Sequence, residues 1–397
     1  GRPAKPIRLM VGLLILKHLR NISDESVVEQ WSENNYYQYF CGEEVFQPCE
    51  PCEASELVHF RNRIGESGIE LILKESIRIN GNDSNDSTAS IDTTVQEKNI
   101  TFPTDSKLHR KIIDKCRKIA EKENLPLRQS YTRTLKRLSL DQRFRNHPRN
   151  KWKARKADRK EKTIAGRLVR ELERNLLPNS QYQSDIDLFK RILNQKKSDS
   201  HKIYSVHEPE VQCISKGKEH KKYEFGNKVS IIYTQTTGVI IGAMGFRNPY
   251  DGHTIEPALE QSERLLGKRT IKTLIGDRGY KGKRKINETT IEIPKPFNNR
   301  KQSQYQQNKL KKQFRRRAAI EPINGHLKTD HRLNRNFYKG ITGDNINVML
   351  AAAAYNFKRM MNKWKSSFWL QFKLLYEILI IQWFTQNKIQ LKNKWAF

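Results

Sequence analysis

The sequence predicts an α/β protein in which a mixed β-sheet core follows an N-terminal group of helices and is interrupted by a basic helical insertion. Three observations lead to this prediction. The first 80 residues carry apolar side chains at helical spacing, β-branched runs occur at 88–96 and after residue 203, and the stretch between them is helical and rich in lysine and arginine. Because strands and helices alternate late in the chain, we expect one sheet with helices packed on it.

The N-terminal helices are predicted from their apolar faces and their caps. IRLMVGLLILKHLR, residues 7–20, is typical of a mostly buried helix. Ser23 or Asp24 can cap a second helix, and a third begins at Ser55 after a proline-containing loop. We therefore expect residues 1–80 to form a compact helical domain. Its basic stretch Arg61-Asn62-Arg63 either contacts DNA, which would make this a DNA-binding domain, or forms a solvated face.

Residues 86–365 are expected to form the α/β domain. The polar stretch NGNDSNDS (80–87) is a linker, and TASIDTTVQ (88–96) alternates as a strand does. A basic helical insertion at about 105–198 follows, in which leucines recur at helical spacing. YEFGNKVSIIYTQTTGVIIGAMGF (223–246) predicts two strands joined by a tight turn.

The remaining elements alternate between helix, turn and strand. In chain order we predict a turn at NPYDGHT (248–254), a helix at IEPALEQSERLL, a strand IKTLIG that stops at Asp277, a short strand at IEIPKPF, helical structure at about 306–328 with a break at Pro322, a long helix at 345–364 and an amphipathic tail at 366–397.

The charge balance predicts a polyanionic partner. The chain has 75 Lys+Arg against 43 Asp+Glu, a formal net charge of +32. Nucleic acid is the first candidate and an anionic membrane surface the second. Because the basic residues are spread along the chain rather than gathered on one amphipathic helix, an extended nucleic-acid surface is favoured.

Five cysteines in 397 residues indicate a reducing compartment rather than a disulfide framework. Cys49 and Cys52 have CxxC spacing, but no second pair of zinc ligands lies at a suitable distance. We therefore interpret these cysteines as packing residues. The apolar stretch 368–384 contains charged side chains, so we predict an amphipathic helix there rather than a membrane span.

Three carboxylates stand at positions that suit a metal site: Asp92 inside the strand TASIDTTV, Asp277 at the end of TLIG, and Glu321 in FRRRAAIEPINGHLK. Taken singly, an acid at a strand end is more often a turn former, and an acid in a basic helix an ion-pair partner. Taken together, they would repel one another unless they share a cation or a proton. Mg²⁺ prefers such oxygen ligands, and two ions can stabilise the attacking and leaving oxygens of a phosphodiester.

Basic residues flank the third carboxylate. Arg317 precedes Glu321 by four residues and Lys328 follows it by seven, so on one helix the three would share a face. Pro322 lacks an N–H and disfavours the α conformation at the residue before it. We therefore expect a kink, or a helix that restarts at Pro322 with Glu321 at its N-terminal edge.

Five motifs, in order, resemble DDE transposases of bacterial insertion sequences, closest to the insertion-sequence-five family. They are SIDTTVQEKNITFPTDSKLH (90–109), KIYSVHEPEVQCISKGKEHKKYEFGNKVS (202–230), NPYDGHT (248–254), LIGDRGYKG (274–282) and RRRAAIEPINGHLKTDHRL (315–333). The resemblance spans nearly the whole chain.

This resemblance implies an RNase H-like core in which Asp92, Asp277 and Glu321 bind two Mg²⁺ ions, with Mn²⁺ as a possible substitute. It also implies that Arg317 and Lys328 match a Tyr-x2-Arg-x3-Glu-x6-Lys signature and would steady DNA phosphates beside the scissile bond. Here Phe replaces the first residue of that signature, at position 314.

Three more side chains are candidates for contact with the same DNA. Arg278 and Lys281 follow Asp277 and are expected to meet the DNA on which the metal acts. His326, close to Glu321, either contacts phosphate or metal or has a structural role.

The implied activity is metal-dependent cleavage at the ends of an insertion element and transfer of the freed 3′-OH into target DNA. The expected partners are terminal inverted repeats, target DNA and a second copy of the chain on paired ends, in a cytoplasmic, nucleoid-associated protein. The alternatives are an inactive or domesticated DNA-binding protein and a Mg²⁺-dependent nuclease of the same fold. Because the chain begins at Gly1 rather than methionine, we expect part of the N-terminal domain to be absent.

Overall fold

The computed structural model describes residues 4–177, 180–196, 198–215, 221–267, 271–294 and 303–394, without the side chains of 306, 309, 310 and 373–394. The described helices are α1 (Ile7–Arg20), α2 (Asp24–Glu33), α3 (Asn35–Cys41), α4 (Ala54–Arg78), α5 (Asp105–Lys122), α6 (Thr132–Asp141), α7 (Lys151–Asn175), α8 (Gln183–Asn194), α9 (Ile255–Leu266), α10 (Gln304–Arg317), α11 (Ile320–Thr329) and α12 (Gly340–Lys394). The described strands are β1 (Thr88–Lys98), β2 (Gln212–Ile214), β3 (Glu224–Thr234), β4 (Ile240–Phe246), β5 (Thr273–Ile275), β6 (Lys285–Ile286), β7 (Thr289–Glu292) and β8 (Arg335–Asn336).

Capping residues begin two of the N-terminal helices: α2 at the predicted cap Ser23, and α4 at Ala54, one residue before the predicted start. The Ser23 hydroxyl accepts a hydrogen bond from the Ser26 backbone N–H at the start of α2, and a capping box of Glu53 and Glu56 begins α4. Arg61 of α4 does not face DNA: its side chain is buried, pairs with Asp24 at 3.2 Å and lies over the ring of Tyr338.

One mixed sheet forms the centre of the molecule. Its strand order is β2-β3-β1-β5-β7-β6, with β4 also on β3 and β8 also on β1. The pairs β1–β3, β3–β4 and β6–β7 are antiparallel, whereas β1–β5 and β5–β7 are parallel. The predicted α/β class with a mixed sheet is confirmed.

Two separate hydrophobic cores fill the described residues. The first joins the N-terminal helices to the sheet, α9 and α12, and contains Leu13, Trp31 and Ile232. The second lies within the insertion, between α5, α6, α7 and α8, around Leu168 and Phe189. Because the insertion buries its own apolar side chains, it can carry a dense basic surface.

The late elements differ from their predicted bounds at three places. The strand predicted at IEIPKPF is Thr289–Glu292, and residues 295–297 lie outside the described part of the chain. The helix predicted at about 306–328 breaks between Arg317 and Ile320, just before Pro322. α12 runs on through most of the predicted tail, and none of its described residues 366–372 is buried. No helix in the described ranges is long and apolar enough to cross a membrane.

Candidate active site

The sheet register brings Asp92 and Asp277 together. β1 and β5 pair in parallel, with Ser90 opposite Ile275. Each aspartate follows its member of that pair by two residues, so Asp92 within β1 and Asp277 just beyond β5 lie at the same level and on the same face. Two acids that are 185 residues apart in the sequence thereby become neighbours.

Arg317 lies between the two carboxylates. Its guanidinium is 3.5 Å from Asp92 Oδ1 and 4.0 Å from Asp277 Oδ2, and its side chain is 23% exposed. The Tyr233 hydroxyl donates a hydrogen bond to the Arg317 backbone carbonyl at 3.0 Å, which fixes the end of α10 against β3. One cation of the protein thus offsets part of the repulsion between two acids.

Glu321 stands at the edge of this cluster. It is the second residue of α11, its side chain is exposed, and Pro322 follows it within the first turn, where proline is tolerated. One turn further on, the Asn324 amide donates a hydrogen bond to Asp92 Oδ2 at 3.0 Å. Residues three apart share a helix face, so Glu321 is on the side of α11 that faces Asp92.

The three predicted carboxylates do not form a ready-made metal site among the described residues. Among the described residues, no group of three or more His, Cys, Asp or Glu side chains is arranged to hold a metal ion. Asp92 and Asp277 fit a divalent cation in chemistry and position, since both present carboxylate oxygens to the cationic Arg317. Glu321 stays a predicted third ligand, carried by the helix whose Asn324 contacts Asp92.

Asp251 is a fourth acid at this site, which the sequence interpretation missed. The Thr93 hydroxyl donates to Asp251 Oδ1 at 3.1 Å, and Lys228 Nζ lies 2.9 Å from the same oxygen. A Cβ placed on Gly279 would lie 2.9 Å from Asp277 Oδ1 and 3.2 Å from Asp251 Oδ2. The only sequence signal was its place in the NPYDGHT motif.

Tyr280 lies beneath these acids. Burial raises the pKa of its phenol well above the ordinary value, and Asp92, Asp251 and Asp277 raise it further. Burial likewise raises the pKa of the nearby Tyr233 to about 12. Both phenols therefore remain neutral at physiological pH.

The predicted DNA-contacting residues lie around the acids at different depths. Lys328 is half-buried on α11, while Arg278 and Lys281 are exposed beyond Asp277. His326 is exposed, and its ring Nδ1 lies 2.7 Å from Asp330 Oδ2, one turn away on α11. His326 thus has a partner within α11, and its contact with phosphate or metal stays a prediction.

Two family models match the chain, one near its N-terminus and one in its second half. A "Transposase domain (DUF772)" matches residues 1–63, and a "Transposase DDE domain" matches residues 198–357. The second match contains Asp277 and Glu321 but not Asp92, which lies before the insertion.

One similar protein comes from Rhizobium meliloti. It is described as uncharacterized protein ORF8 in the nfe locus and is 46% identical to the chain over 154 residues. The aligned part is 38% of this chain and 74% of that protein. No solved structure matches the chain.

Proposed function

Since the chain belongs to the DDE transposases of insertion elements, we propose that it cuts DNA at the ends of its element and joins the freed 3′-hydroxyl to target DNA. The observation that carries this proposal is the pair Asp92 and Asp277, side by side on parallel strands with Arg317 between them. An RNase H-like topology and membership of the insertion-sequence-five family are part of the same proposal.

Asp92, Asp277 and Glu321 would hold divalent cations, Mg²⁺ or Mn²⁺. When bound, such ions activate the attacking oxygen and stabilise the leaving oxygen of a phosphodiester. Two of these carboxylates already face a cation, the Arg317 guanidinium. The third projects from the first turn of α11, beside the Asn324–Asp92 contact.

Arg317 has two tasks in this proposal. It holds the two aspartates together in this structure, and with a cation bound there its guanidinium would be free to contact a DNA phosphate. Its guanidinium can do this because α10 ends at Arg317 and the chain turns before α11 begins at Ile320. An arginine suits the second task since its planar guanidinium binds phosphate oxygens in pairs.

The bases around the acids position the DNA backbone. Lys328 lies two turns from Glu321 on α11, and Arg278 and Lys281 follow Asp277 on the exposed side of the site. Their contacts would fix the scissile phosphate without reading sequence. The N-terminal helices, packed on the same core, are the proposed readers of the element ends.

The test is incubation of the chain with terminal-repeat DNA and Mg²⁺ or Mn²⁺, followed by analysis of cut and joined products. We expect Asp277→Asn to abolish cleavage and joining while DNA binding is largely retained, because the exchange removes a charge but little volume. Asp187→Asn, on the exposed surface of α8, is the matched control and should cut normally.

The products separate the alternatives. Cut DNA without joined ends would identify a nuclease, and binding without any product would identify a DNA-binding protein. If Asp277→Asn cuts at the wild-type rate, Asp277 holds no metal and the proposed site is wrong.

A further inference from the structure

The helical insertion carries a basic groove whose lining includes none of the acids of the candidate active site. The groove lies between α6 and α7, has a volume of about 600 Å³ and is lined by Arg133, Arg137, Trp152, Lys153, Lys156 and Lys160. Asp141 is the only acid among the described lining residues.

The basic side chains of this groove are not neutralised by ion pairs in the described part of the chain. Within the described residues, none of its five basic side chains forms an ion pair, although other bases of the insertion do: Arg110 pairs with Glu161 and Arg145 with Asp158. Five such cations around one groove, offset in part by Asp141, leave a net positive charge that attracts a polyanion.

The cations are spaced to follow a chain of phosphates. Lys153, Lys156 and Lys160 lie three and four residues apart on one side of α7, and Arg133 and Arg137 lie four apart on α6. A separation of three or four residues places side chains roughly 5–6 Å apart along a helix. The two rows can therefore contact successive phosphates from both sides of the groove.

Trp152 gives the groove a second kind of contact. It lies in the first turn of α7 with 60% of its surface exposed, although tryptophan is usually highly buried. It lines the groove together with the lysines and with the apolar side chains of Leu138 and Ala157. An exposed aromatic ring beside a basic groove is the arrangement on which unpaired bases stack.

We propose that this groove binds a single strand of DNA, with phosphates on the two basic rows and a base stacked on Trp152. A duplex is the weaker candidate, because its base faces are covered by stacking and only its edges and phosphates are accessible. The inference rests on the proposal that DNA is the partner, but not on the acid site.

The first experiment measures binding of the full chain to a labelled thymidine strand of about 15 nucleotides, within the usual range of such sites, and to the matching duplex, without divalent metal. We expect Trp152→Ala to weaken strand binding about tenfold, as loss of one stacked base does. Trp152→Phe keeps an aromatic face and should lose little. Duplex binding should change less than about twofold, since stacking is not available there.

The second experiment separates the groove from general basic charge. Lys153→Gln with Lys156→Gln should lower the salt dependence of strand binding by about 1.4 in log–log slope, because roughly 0.7 is lost per phosphate contact. Arg155→Gln with Lys162→Gln removes the same charge from the opposite side of α7 and should leave the slope nearly unchanged. Trp364→Ala, at an exposed tryptophan of α12, is the control for Trp152→Ala.

Three results would overturn the proposal: unchanged strand binding in Trp152→Ala, equal losses for strand and duplex, or equal effects of the two double variants. Helicity measured by circular dichroism shows whether each variant is folded. Because cleavage is not measured, an inactive acid site would leave these outcomes interpretable.

Discussion

Arg317 is the positive charge that faces both Asp92 and Asp277 in the acid site. Its guanidinium is the cation between Asp92 and Asp277, while Asp251 is balanced separately by Lys228. Two carboxylates at about 4 Å repel by roughly 1–4 kcal/mol in the dielectric range between water and a protein surface. A side chain expected only to hold phosphate therefore also stabilises the protein before DNA arrives.

Replacement of Arg317 should make stability depend on divalent metal. We expect Arg317→Ala to lower the free energy of unfolding by about 1 kcal/mol without metal and the Tm by roughly 2–4 °C. Millimolar Mg²⁺ should raise the Tm of the variant more than that of the wild type, because the ion takes the place of the guanidinium. Differential scanning calorimetry with and without Mg²⁺ measures both shifts.

The control for this experiment is Arg247→Ala, which removes an exposed pair with Glu210. It should change the Tm little, with the same Mg²⁺ response as the wild type. If Mg²⁺ raises the Tm of Arg317→Ala and of the wild type equally, the guanidinium and the metal do not occupy the same site.

At the level of single residues, the sequence predicted part of the candidate active site. Asp92 and Asp277 were singled out because each lies in or at the end of an apolar strand, and Glu321 because Arg317 and Lys328 flank it. The place of Arg317 between two acids could not, since it depends on how α10 meets the sheet. Asp251 was missed because an acid in a turn has a common structural explanation.

The turn after β5 keeps the acid site compact. Gly279 lies where Asp277 and Asp251 approach each other, and a methyl group there would meet their oxygens at 2.9 and 3.2 Å. Both distances are shorter than ordinary contacts between a carbon and an oxygen, so one carboxylate must move.

Gly279→Ala should therefore lower the cleavage rate at least tenfold with little loss of folding stability. A displacement of about 1 Å is enough to cost roughly a hundredfold in rate. Gly325→Ala on α11 is the control, because a methyl group there meets nothing within 4 Å. Cleavage of end DNA under single-turnover conditions gives the comparison, and equal rates for the two variants would refute the role of Gly279.

A buried histidine couples α1 to α12. His18 is fully buried, with ring Nε2 3.2 Å from Asn347 Oδ1 and Nδ1 3.2 Å from the Leu14 carbonyl oxygen. Burial, with a smaller contribution from Lys17, lowers the pKa of His18 from 6.5 to about 3. The ring is therefore neutral in the folded protein at physiological pH.

This pKa shift should destabilise the protein in acid. The unfolded chain binds a proton at His18 near pH 6.5, whereas the folded chain does so only near pH 3, so acid favours unfolding between these values. Denaturant unfolding of wild type and His18→Gln from pH 7 to 4 tests this. The stability difference between the two should shrink as pH falls, and a constant difference would contradict the shift.

Elements with clear local signals could be predicted from the sequence, but the strands with which they pair in the sheet could not. β1 was predicted from TASIDTTVQ, β3 and β4 from their β-branched runs around Thr236-Thr237-Gly238, and the break before α11 from Pro322. The parallel pairing of β1 with β5 crosses the whole insertion, so no local pattern encodes it. That pairing is what makes Asp92 and Asp277 neighbours.

The two hydrophobic cores should unfold as separate units. Leu168 is fully buried in the insertion core, and Ile232 is fully buried in the core of the sheet. Truncation of such a side chain to alanine costs about 2–5 kcal/mol. We expect two calorimetric transitions. Leu168→Ala should lower the midpoint temperature of one, and Ile232→Ala that of the other. A single transition that both variants shift alike would show that the cores unfold together.

The parallel pair of β1 and β5 also determines when, during biosynthesis, the chain acquires its chemistry. At roughly 5–20 residues per second, Asp277 is synthesised about 10–40 s after Asp92, and the insertion is completed in the interval. A polypeptide released early, with its own insertion core folded, would carry the basic groove but only half of the acid pair. If the proposed groove and acid site act as inferred, such a fragment is expected to occupy DNA without cutting it. Only a translated copy that reaches α11 carries all the acids.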